Sequence, residues 1–79
     1  MDMHVEYEKC AHSMRLGKYR TYRAWSDTLP ECRTYFVNNP MRGASYWVAH
    51  IAGEYRSCMG KTRKEAMSNL SRQYASATH

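Results

Sequence analysis

Cys10, His12, Cys32, His50 and Cys58 are the side chains of this sequence that could ligate a soft metal ion or pair as nucleophile and base. None falls at the paired spacing of a zinc site, so the expectation is buried structural thiols, surface imidazoles and no metal. Cys58 and His50 lie close enough in sequence to face each other across a hairpin, yet no third orienting group or oxyanion donor accompanies them. With no acid–base pair, phosphate loop or metal motif in view, the sequence predicts a protein that is not an enzyme and needs no cofactor.

Charge offers a second kind of chemistry. Lys61, Arg63, Lys64 and Arg72 form the densest basic cluster, and Arg42 sits near the tip of a loop further upstream. Such cations neutralise phosphates, and the whole chain carries a formal charge of +5. An acidic protein surface satisfies the same cations. Tyr19, Tyr22, Tyr35, Tyr46 and Trp25 alternate with Lys18, Arg20, Arg23 and Arg33, the mixture of a surface that stacks bases and holds a backbone. Read plainly, the same aromatics fill a core that has little leucine, and the arginines are solvated. As a third reading, Tyr, Trp, Met and Arg are also what protein-binding faces concentrate.

The elements that must position these groups are few, because 79 residues make one small domain with a modest core. Hydrophobic residues are 43% of the chain, but seven are Tyr and six Met, and there is one Phe. Three cysteines without a CxxC pair point to reduced thiols and a cytoplasmic setting. The opening MDMHVEYEKC has no apolar core of the signal-peptide kind, and no run nears the roughly 20 apolar residues that cross a bilayer.

Met3, Tyr7, Cys10, Ala11 and Met14 follow a helical spacing, with Asp2 as cap and Gly17 as terminator, which predicts a first helix over residues 3–15. Residues 18–25, KYRTYRAW, read as a strand, with a helix as the open alternative. Residues 31–37 and 46–51 read as strands by alternation. A three-residue connection at Ala52, Gly53 and Glu54 would oppose Ile51 to Tyr55 and Trp47 to Met59, making one continuous apolar face. A two-residue turn would instead oppose Ile51 to Arg56. Thr62 and Glu65 then form a capping box that opens a helix with Ala66, Met67, Leu70, Tyr74 and Ala77 on its apolar side. The expected fold is an α+β two-layer domain: N-terminal helix, three or four antiparallel strands, and a C-terminal helix packed on the sheet.

Residues 60–66, GKTRKEA, resemble the entry to the last helix of double-stranded RNA-binding domains, through Gly60, Thr62, Arg63, Lys64 and Ala66. Met67 stands where those domains often carry a further basic residue. The resemblance implies that Arg63 and Lys64 meet phosphates across the groove of an A-form helix. Residues 60–70 are also similar to the strand-to-helix segment of HicB-like antitoxins, through Gly60, Thr62, Glu65, Ala66 and Asn69, which implies a fold that occludes a toxin or ribonuclease. The leading expectation is a module that binds structured RNA through Lys61, Arg63, Lys64, Arg72 and Arg42. The alternative is a small protein-binding inhibitor of the kind phages and mobile elements encode.

Overall fold

Aromatic and β-branched residues recur at alternate positions, as at Tyr19 and Thr21, Tyr35 and Val37, and Tyr46 and Val48, a pattern that favours extended backbone. In the computed structural model, which describes residues 3–39 and 43–77, these residues lie on a five-stranded antiparallel sheet followed by one helix. The strands are β1 (Met3–Ser13), β2 (Gly17–Ser26), β3 (Leu29–Asn39), β4 (Ala44–Ile51) and β5 (Ser57–Gly60), and the helix α1 spans Arg63–Ala77. Each strand pairs with its neighbours in sequence, giving the order β1-β2-β3-β4-β5.

The expected N-terminal helix is therefore wrong: residues 3–13 are the first strand of five, where three or four strands were expected. A β-bulge between Tyr7 and Lys9 explains the misreading. Strand faces alternate, so Met3, Val5 and Tyr7 share one face, and the extra residue brings Cys10 and His12 onto that same face. Residues 3, 7 and 10 thus reproduce a helical spacing by accident of the bulge. Met14, the last member of the supposed helical stripe, is fully exposed in the turn. Gly17 does adopt the left-handed conformation, φ +69°, but closes the β1–β2 hairpin with it. Asp2, the expected cap, lies outside the described residues.

The pairing of β4 with β5 also differs from expectation. Trp47 lies opposite Gly60, Val48 opposite Met59, Ala49 opposite Cys58 and His50 opposite Ser57. This is the register that opposes Ile51 to Arg56, one residue from the expected match. Tyr55, assumed to extend the apolar face, is in the connecting loop and fully exposed, and Met59 is 60% exposed on the face away from α1. The selected register places Gly60 beneath the first turn of α1. A Cβ there would lie 2.5 Å from the Ala66 nitrogen, so glycine permits the close approach.

One half of the expected capping box opens α1: the Glu65 N–H donates to Thr62 Oγ1 at 3.1 Å. It packs over β3, β4 and β5. Ala66, Met67 and Leu70 are fully buried against Ala24, Cys32, Ala49 and Ile51, with Tyr74 packed at the border. Small side chains on the sheet leave room for the two long ones from the helix. Asn69 Nδ2 donates to the Met59 carbonyl at 2.8 Å, tying the second turn of α1 to β5.

Candidate nucleic-acid interface

In a meander, alternate connections fall at the same end of the sheet. The β1–β2 turn, the β3–β4 connection and the β5–α1 junction therefore share one end, and the β2–β3 turn and β4–β5 loop share the other. Charge divides accordingly. Among the described residues, Arg15, Lys18, Arg20, Lys61, Arg63 and Lys64 gather toward the first end with Glu65 as the nearby carboxylate. Asp27, Glu31, Glu54 and Glu6 lie toward the other.

The arginines near the acidic end and the sheet centre are engaged. Arg23 pairs with Glu31 and lies 3.9 Å from Glu6. Arg56 lies 3.9 Å from Glu54. Arg33 reaches across β2 to Glu8 with its Nη2 at 2.7 Å, and Thr21 Oγ1 donates to the same carboxylate at 3.0 Å. These donors, Arg33 foremost, hold the Glu8 pKa down at about 2.

Side chains of the basic end sort by face. On β2, Lys18, Arg20 and Tyr22 point to the face that carries α1, with Phe36 of β3 and Trp47 of β4 beside them. There the rings of Tyr7, Tyr22, Trp47 and Phe36 form a chain, with centroid separations of 5.6, 6.3 and 5.4 Å in that order. Tyr7 is 53% exposed and Phe36 42%, so the two ends of this strip face solvent. A half-open hollow of about 340 Å³, lined by Leu16, Lys18, Arg20, Tyr22, Phe36 and Trp47 among others, lies along it. The cationic side chains of Lys18 and Arg20 are exposed at its rim.

Of the residues expected to contact phosphates, Lys61 and Lys64 are exposed at the start of α1, and Lys61 lines a shallow hollow with Tyr46 and Met59 at the edge of the sheet. Arg63 points inward instead. Its guanidinium lies over both rings, 4.4 Å from the Trp47 centroid and 4.5 Å from that of Tyr22. Burial lowers its pKa from the ordinary arginine value, and its buried Nε has no hydrogen-bond partner among the described residues. Arg63 thus joins the helix to the aromatic strip. Arg72 is exposed two turns further along α1 and bonds to Asn69 Oδ1. Arg42 lies outside the described residues.

Lys18, Arg20, Phe36, Trp47 and Tyr7 were missed as one group. Alternation in KYRTYR does place Lys18, Arg20 and Tyr22 on one face once a strand is assumed, but their neighbours come from other strands. Tyr19, Tyr35 and Tyr46 occupy the opposite face, where Tyr19 and Tyr35 pack at 5.2 Å.

The thiol–imidazole alternatives are separated by the fold. His50 and Cys58 point to opposite faces, and the described residues contain no group of three or more His, Cys, Asp or Glu placed to hold a metal ion. Cys32 is fully buried and its pKa rises to about 11, chiefly through burial. No helix of the described residues is long and apolar enough to cross a membrane. Searches against family models, curated proteins and solved structures return no match to this chain.

Proposed function

We propose that the protein is a non-enzymatic nucleic-acid-binding module for structured RNA, contacting loops or bulges where bases are unstacked. Bases stack on the exposed rings of the Tyr7–Tyr22–Trp47–Phe36 strip, while Lys18, Arg20, Lys61 and Lys64 hold the flanking phosphates. The observation that carries this reading is a coincidence of place: Lys18 and Arg20, with few carboxylates nearby, share one end and one face of the sheet with an aromatic strip whose two ends, Tyr7 and Phe36, α1 leaves exposed. Arg63 contributes by fixing Tyr22 and Trp47 against the helix start.

Affinity for a fluorescent RNA hairpin with an unpaired loop, measured across salt concentrations, tests it. Removing two phosphate contacts in Lys18→Ala/Arg20→Ala lowers the slope of log affinity against log salt by roughly 1.5 units. Arg72→Ala changes it little, because Arg72 sits away from the strip. An unchanged slope and affinity in the Lys18/Arg20 pair would refute the reading. A second reading, docking on an acidic protein surface, draws on the same basic end and on the exposed Met59. It is favoured if a protein partner survives nuclease treatment and binding is lost with the same two cations.

A further inference from the structure

β1 is an eleven-residue edge strand whose outer side pairs with no strand among the described residues, while α1 packs over β3, β4 and β5 rather than over it. The opposite edge, β5, has only four residues. An edge of that length is a template for another strand unless it is defended. Its charges and its bulge are common defences, but here both are compatible with a particular partner, a second copy of β1 running antiparallel.

Consider the two-fold pairing that sets Glu6 opposite the second copy's Lys9. The same register sets Val5 opposite Cys10, His4 opposite Ala11 and Met3 opposite His12. Because the bulge shifts facing by one residue, each of these pairs joins side chains of the same face. The register thus gives one attractive charge pair, Glu6 with Lys9, and one apolar pair, Val5 with Cys10, each doubled by symmetry. Glu6 is free to take part: its side chain is 62% exposed and its contact with Arg23 is long, at 3.9 Å. Glu8, by contrast, is occupied by Arg33 and Thr21 and stays on its own sheet.

Polarity along the strand adds to this. Antiparallel pairing lays the basic end of one copy, with Arg15 and Lys18, beside the acidic end of the other, with Asp27. The two basic ends are thereby kept apart despite the chain's net charge of +5.

We propose that β1 is the pairing edge of a homodimer with a continuous ten-stranded sheet, in the register that opposes Glu6 to Lys9. Sedimentation velocity of the full chain over a wide concentration range tests it, with circular dichroism to confirm folding of each variant. Wild type dimerises; Glu6→Lys and Lys9→Glu each raise the dimer dissociation constant by about tenfold or more, because two symmetric attractions become repulsions. Combined in one chain, the two substitutions restore the dimer. A Val5→Cys chain, oxidised gently, yields a covalent dimer whose peptide map links position 5 to Cys10. A wild type that stays monomeric at the highest soluble concentration overturns the proposal. So does a dimer insensitive to either single charge reversal, one not restored by the double reversal, or one linked only between two Cys10 residues.

Discussion

Replacing Gly60 with alanine probes the seat of α1 on β5. The added Cβ would lie 2.5 Å from the Ala66 nitrogen and 2.9 Å from both the Glu65 carbonyl carbon and its Cβ. Two of those atoms are backbone, so no rotamer change relieves the overlap. The first turn of α1 must lift by roughly an ångström, drawing Ala66 and Met67 away from the small residues beneath them. Overpacking of this kind costs about 1–3 kcal/mol, and contact with helix backbone places Gly60→Ala near the upper figure. For a domain of this size that lowers the melting temperature by about 12–24 °C. Urea unfolding followed by tryptophan fluorescence and far-ultraviolet circular dichroism measures it. Met59→Ala is the paired control: in the observed register Met59 faces away from α1, so its loss costs under about 1 kcal/mol. In a register shifted by one residue Met59 would be core, and the same substitution would cost about 2–5 kcal/mol. A near-neutral Gly60→Ala together with a costly Met59→Ala would refute the packing described here.

Thr62→Ala removes the side-chain acceptor of the Glu65 N–H and destabilises by about 0.5–2 kcal/mol in the same urea assay, while Thr62→Ser retains most of the stability. Glu8 titrates at about 2 in the folded chain against 4.5 for an ordinary glutamate, so its stabilising effect is complete above pH 4.5 and is lost as pH falls toward 2. Acid unfolding of Glu8→Gln is accordingly shallower across that window than that of wild type. Toward the thiol-alkylating reagent iodoacetamide, Cys10 reacts at the rate of an exposed cysteine, whereas Cys32, buried and with its pKa raised to about 11, reacts only as fast as the chain opens.

The legible parts of this fold were those written locally. The Thr62 cap, the buried stripe of Ala66, Met67 and Leu70, and the alternation in β3 and β4 all depend on near neighbours in sequence, and each appears in the structure. β1 was misread because its bulge inserts one residue into a period of two, and two strand segments out of phase imitate a helix. The β4–β5 register was missed because apolar matching assigned Tyr55 to a strand, whereas the space needed by α1 above Gly60 decides the pairing. Much of the candidate site was hidden for a similar reason. Arg63 reads as a surface cation until Tyr22 and Trp47, from two non-adjacent strands, are brought together beneath it. Phe36 reads as core mass until α1 is seen to stop short of it.

Base stacking on the aromatic strip is the most direct test of the account. Titrating a Trp25→Phe chain, in which Trp47 is the remaining tryptophan, with an RNA hairpin isolates the fluorescence of a ring inside the strip. The expected result is saturable quenching that weakens steeply with salt and shifts to higher RNA concentration when Phe36 is replaced by alanine, by about 1–3 kcal/mol in binding free energy. Trp47 emission that stays unchanged through saturating RNA, or binding that is indifferent to Phe36→Ala, would contradict it.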